Sequence, residues 1–160
     1  REVRLADLVG VHTAGRITRI ENLSWERKPQ DGRGFLGGIG MNWEVQPPAQ
    51  AEAKLRSVFE GARWAVADDG ALHFSANGVS PQAQETPLVM QGQVAVREHT
   101  VSANAGYKTA SMFDTQVGSL DVRLRSTGPD TIVMSIVTNI FTKTERFKAT
   151  FEQTMTLQHD

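Results

Sequence analysis

Phe147-Lys148-Ala149-Thr150-Phe151-Glu152-Gln153-Thr154-Met155-Thr156-Leu157 is the stretch that decides the fold of this chain. Its odd positions read Phe, Ala, Phe, Gln, Met, Leu, and its even positions read Lys, Thr, Glu, Thr, Thr. A period of two sends successive side chains to opposite faces of a pleated strand, so one face enters a core and the other meets water. The odd row has one polar member, Gln153. An amide on a core face needs a partner from protein, water or ligand. Gln153 is therefore the first candidate for a polar contact inside a cavity.

Working back from that strand, the same alternation recurs. Leu120, Val122 and Leu124 alternate with Asp121, Arg123 and Arg125. Residues 132–141 carry Ile132, Met134, Ile136, Thr138 and Ile140 on one face, yet Val133, Val137 and Phe141 on the other. A strand apolar on both faces needs cover outside as well as inside, from a helix of this chain or from a second subunit. Trp64 and Val66 run into Asp68-Asp69-Gly70, and Leu72 and Phe74 return, which is a strong hairpin signal. Leu88, Met90, Val94 and Val96 share a face, and Ile39, Met41, Trp43 and Val45 predict a strand that Pro47 and Pro48 stop. Residues 11–25 read as extended with imperfect alternation around Ile17 and Ile20, and residues 5–9 as a helical turn or entry segment. Residues 101–117 show strand-like patches around Tyr107 and Met112. Residues 49–60 differ: Ala51, Leu55, Val58 and Phe59 have helical spacing, with Pro48 ahead and Gly61 behind.

Eight to ten strands at hairpin spacing with at most one short helix predict an all-β fold, an antiparallel meander closing into an up-and-down β-barrel. The whole chain, 1–160, reads as one such domain. In length and strand order it is similar to the lipocalin-like barrels, an architecture of small-molecule carriers and of a few isomerases, cyclases and decarboxylases. Gly15-Arg16-Ile17 stands where those proteins carry Gly-x-Trp, so the resemblance implies a cavity and assigns no residue a role. The alternative fold is an α+β cone, a curved sheet wrapped on helices.

Composition narrows the function classes. Lys and Arg number 17 against 18 Asp and Glu, interspersed along the chain. That balance carries no footprint for nucleic acid or an anionic membrane surface. There is no cysteine, which excludes disulfides, thiolate zinc sites, iron–sulfur clusters and cysteine nucleophiles. No apolar run reaches the ~20 residues of a membrane-spanning helix. The chain begins with Arg1, which leaves open a segment removed upstream, and the compartment is not readable.

The chemical motifs are sparse. Gly32-Arg33-Gly34-Phe35-Leu36-Gly37 matches the letters of a dinucleotide fingerprint, but that motif needs a strand before it and a helix after. Here a charged loop precedes and a strand follows, so the glycines read as a loop, with gating of a barrel mouth as their one conceivable role. Asn22-Leu23-Ser24 is a glycosylation triplet of the kind that arises by chance. His12, His73, His99 and His159 show no metal spacing; each is expected to be solvated or locally bonded, with His73 and His99 outward. No Gly-x-Ser-x-Gly elbow or paired carboxylates occur, and no cofactor or metal is expected.

Trp43, Trp64, Met41, Met134 and Phe151 fall on apolar faces together with Phe147 and Met155. Such residues either fill a barrel or wall a pocket within it. The expected ligand-binding set is thus Gln153, Trp43, Met41, Trp64, Met134, Phe151 and Tyr107, with Asn139 as a further polar candidate. The reading that follows is a barrel binding a small, mainly apolar molecule. A cofactor-free cyclase or isomerase holding a polyketide- or terpenoid-like substrate is the enzymatic alternative, since orientation alone can catalyse without leaving a motif. A filled structural barrel that self-associates through Val133, Val137 and Phe141 is the third.

Overall fold

The computed structural model describes residues 4–28, 42–76, 89–97, 100–110, 115–126 and 131–157. Its elements in chain order are α1 (Leu5–Leu8), β1 (Gly10–Arg27), β2 (Glu44–Val45), α2 (Pro48–Phe59), β3 (Arg63–Val66) and β4 (Ala71–Ser75). They continue with β5 (Val89–Arg97), β6 (Thr100–Ala110), β7 (Thr115–Ser126), β8 (Thr131–Phe141) and β9 (Glu145–Leu157). Every neighbouring strand pair is antiparallel, and β1 pairs with both β3 and β9, which closes an eight-stranded barrel. Strand β2 is an addition hydrogen-bonded to the far end of β1.

The strands are steeply inclined, as closure of eight strands requires. A path along paired residues leaves β1 at Gly10 and passes through Val66, Leu72, Gly92, Ala105, Leu120, Thr138 and Ala149. It comes back to β1 at Leu23, well above its start. Two of the turns rest on glycine: Gly61 ends α2 at φ 80° and Gly70 closes the β3–β4 hairpin at φ 89°, conformations that L side chains rarely adopt.

The alternation of β9 reports burial as expected. Phe147, Ala149, Phe151, Gln153 and Met155 are buried, against Ile132, Met134, Ile136 and Thr138 of β8. Helix α1 closes one end with Leu8. Helix α2 starts at Pro48, where the missing N–H costs nothing, and sends Ala51, Leu55 and Phe59 inward. The Phe59 ring meets Phe151 edge-on at 4.9 Å and Phe74 at 5.4 Å, and Phe74 meets Trp64 at 4.8 Å. Much of the interior is therefore filled by the protein's own helix.

Three expectations are corrected. Of the strand predicted over 39–45, residues 39–41, including Met41, lie outside the described set, while Asn42 and Trp43 are not strand. Only Glu44–Val45 pair, with Val45 76 % exposed; they meet β1 at its last two residues, Glu26 and Arg27. Val96, expected inside with Met90 and Val94, is 44 % exposed, because β5 ends one residue later at the barrel rim. Helix α2 does not cover the outer face of β8. Its apolar stripe enters the barrel beside β1, which leaves Val137 40 % exposed.

Candidate functional site

Strand β1 explains how the interior is organised. Its pairing with β9 slips between Ala14 and Ile17, between Ile17 and Arg19, and between Ile20 and Asn22. Each slip adds a residue that the partner strand does not match, which kinks the strand and leaves backbone groups unpaired. The last turn of α2 answers them. Ile17 N–H donates to Glu60 Oε2 at 2.8 Å, and Arg56 Nη1 donates to Ile17 O at 3.3 Å while holding Glu60 at 2.9 Å. Gly61 N–H donates to Ala14 O at 2.9 Å, and Ala14 N–H to Ala62 O at 2.8 Å.

Gln153 belongs to this junction. Its Nε2 donates to Gly15 O and to Phe59 O, each at 2.8 Å, which ties β9 to the bulged strand and to the end of α2. Its Oε1 has no partner among the described residues. The same holds for Nδ1 of His12 and Nε1 of Trp64, two residues that pair in the β1–β3 register. His12 is fully buried, and its Nε2 lies 2.7 Å from Leu8 O. A carbonyl only accepts, so Nε2 carries the proton and Nδ1 presents a lone pair. Burial pushes the His12 pKa below its ordinary 6.5, opposed by the bond to Leu8. His12 is thus a neutral latch between α1 and β1. It is locally bonded as expected, yet buried.

Trp64, Met134 and Phe151 lie in the packed interior with Gln153. Beside Trp64 and Met134, a void of about 10 Å³ is walled by Leu8, Val94, Val122 and Met155. That is room for about one water and no organic ligand, and aliphatic walls give a water too few partners. Trp43 sits apart from them, beside β2, with the Arg146 guanidinium 4.0 Å and the Lys28 ammonium 5.1 Å from its ring centre. Asn139 alternates with the inward Thr138 and Ile140, so it is on the outer face.

Tyr107 occupies a different region, the end of the barrel opposite α1. In register, Tyr107 faces Gly118, Gly118 faces Ile140, Ile140 faces Phe147, and Phe147 faces Trp25. A Cβ on Gly118 would fall on the Tyr107 ring, so this glycine lets the phenol lie flat across β7. Phe147 is buried, but Leu23, Trp25, Tyr107 and Ile140 are only half-buried although they point inward. Among the described residues, this end is a mouth with an apolar wall.

Its polar groups converge on Glu145. Trp25 Nε1 donates to Glu145 Oε1 at 2.7 Å, and Lys54 Nζ lies 3.4 Å from the same oxygen. The Lys54 ammonium also sits 4.8 Å from the Trp25 ring centre and 5.8 Å from that of Phe147. The Tyr107 hydroxyl bonds to none of the described residues. Burial first, and the Glu145 charge second, push its pKa above 10.0, so it stays a neutral donor. An apolar wall, a phenol and an ion pair suit a molecule with an apolar body and one polar end.

Trp25, Lys54 and Glu145 were not among the residues the sequence singled out, and His12 was weighed only as a solvated or locally bonded histidine. The spacing of β1 held a signal for Trp25, since Leu23 and Trp25 share a face; Lys54 and Glu145 meet only through the docking of α2. Among the described residues no group of His, Asp and Glu could hold a metal ion, and no helix is long and apolar enough to cross a membrane. Comparison with protein-family models, curated proteins and solved structures returns no match.

Proposed function

We propose that this barrel binds a small, mainly apolar molecule at the mouth framed by Leu23, Trp25, Tyr107, Ile140 and Phe147. The observation that carries the reading is the contrast between the two ends. Inward-facing large apolar side chains are half exposed at the mouth, whereas towards α1 the void measures about 10 Å³. Exposed apolar surface in a concave setting with a few placed polar groups is the usual character of a ligand site. The Tyr107 hydroxyl, bonded to none of the described residues, would donate to the polar end of the ligand.

A second reading, catalysis of an isomerisation or cyclisation, draws support from the neutral Tyr107 phenol lying within electrostatic reach of the Glu145 carboxylate. A donor and a carboxylate base on one apolar substrate would hold it in a reactive conformation. Turnover abolished by Tyr107→Phe with binding retained would favour this reading over simple carriage.

Native mass spectrometry of freshly purified protein tests for a co-purified molecule. A thermal-shift panel of steroids, fatty acids, polyketides and tetrapyrroles should contain a ligand that stabilises the parent. The same ligand should bind Tyr107→Phe more weakly by about 0.5–1.5 kcal/mol, the net worth of one neutral hydrogen bond. No co-purified molecule and no stabilising ligand would leave a filled structural barrel.

A further inference from the structure

We propose that the outer rim of the barrel mouth docks this protein on an anionic lipid surface. The inference concerns the outside of the wall and does not depend on what the mouth binds.

One outward-facing row of paired residues crosses five strands at this rim. It runs Val45 on β2, Glu26 on β1, Arg146 on β9, Phe141 on β8 and Val117 on β7. Val45 is 76 % exposed and Val117 37 %; Phe141 and the neighbouring Trp43 are half-buried. The row thus places apolar side chains in solvent where a barrel exterior ordinarily carries polar ones.

Cations flank this row. All six cation–ring contacts among the described residues lie at this end of the barrel, and three are on its outer side. Arg146 and Lys28 lie over Trp43, and Lys148 lies over Phe141 at 5.6 Å. A cation over a ring keeps its whole charge, unlike one neutralised by a carboxylate. Lys28, Arg146 and Lys148 form no ion pair among the described residues, and Glu145 is bound to Lys54. Among the described residues, these three cations set against Glu26 leave an excess of two positive charges on a chain of formal net charge −1.

Exposed apolar groups rimmed by uncompensated cations match the two layers of an anionic bilayer surface. The apolar groups enter the headgroup region while the cations meet phosphate and carboxylate oxygens. A second copy of the chain fits less well. An isologous contact would set this row against the same row of the copy, with Glu26 as its one carboxylate, so the excess of positive charge would face itself. A polynucleotide would use the cations, but it would leave Val45 and Val117 without a role.

Co-sedimentation with vesicles of phosphatidylcholine, with and without phosphatidylserine, tests the proposal on the whole chain at low and high salt. Binding is expected to the anionic vesicles alone and to weaken at high salt as the charges are screened. The Arg146→Glu/Lys148→Glu variant should bind at least roughly tenfold more weakly, since each basic residue near such a surface contributes about fivefold. Val45→Asp, at an exposed site where folding is insensitive, should also weaken binding. Arg123→Glu, exposed on β7 away from the rim, should leave binding unchanged. Absence of binding by the folded parent would overturn the proposal, as would equal binding to neutral vesicles or equal losses in Arg123→Glu. Tighter binding to a single-stranded oligonucleotide at the same salt would reassign the patch and overturn it too.

Discussion

Phe59→Ala probes whether α2 is an interior plug or a surface cover. The Phe59 ring is fully buried and bears on Phe151 from β9 and Phe74 from β4, strands on separate parts of the barrel wall. Truncation of a buried Phe costs about 3–5 kcal/mol, the amount depending on how far the surroundings collapse into the space. A hydrogen-bonded closed barrel cannot draw its walls together without breaking register, so collapse here is poor and the loss belongs at the upper end. Urea unfolding followed by tryptophan emission should show a lower midpoint with an unchanged slope, because the surface exposed on unfolding is nearly the same. The vacated space is apolar, and cavities of that kind stay dry and accept small aromatics. Benzene or indole should therefore recover part of the lost stability in Phe59→Ala and none in the parent. A loss below about 1 kcal/mol, or equal effects of the aromatics on both proteins, would refute the view that the helix fills the barrel.

Three further outcomes follow from single residues. Gln153→Leu strands Gly15 O, while Phe59 O keeps its bond from Ala62 N–H; as the orphaned Oε1 is removed as well, the loss by urea unfolding should sit near the low end of about 1–3 kcal/mol. His12 has a folded pKa below its ordinary 6.5, so under that pH the unfolded chain takes up a proton that the native state refuses. Stability should be complete above pH 6.5 and decline as pH falls below it, and the difference in urea midpoint between the parent and His12→Gln across that range isolates the contribution. Gly118→Ala puts a methyl group where the Tyr107 ring lies; it should cost about 1–3 kcal/mol as overpacking does and weaken whatever ligand stabilises the parent.

How much of this was legible depends on whether a residue's neighbours are set by its own strand. The inward row of β9 and the hairpin at Gly70 could be read directly, because burial on one face leaves a period-two trace. Trp43 shows the limit. Residues 39–45 carry the same trace, but alternation says nothing about whether a partner strand is present, and β2 finds only two residues of β1 to pair with. The pair Lys54–Glu145 left no trace at all, since it forms where a helix meets a distant strand.

Strand β1 is the instructive case, because its irregularity was visible and its meaning was not. Its inward residues are His12, Ala14, Ile17, Ile20, Leu23 and Trp25, so the step from one to the next passes from two residues to three and back to two. The three longer steps coincide with the three slips in pairing with β9. Imperfect alternation around Ile17 and Ile20 was therefore the signature of successive bulges. Bulges release backbone carbonyls, and a carbonyl released inside a barrel must be met by a donor. The cleanest strand in the chain supplies that donor at its one polar inward position: Gln153 Nε2 reaches Gly15 O. The polar intrusion on β9 and the broken period on β1 are two halves of one hydrogen bond, and that requirement gives Gln153 a structural reason to be where it is, before any ligand is considered.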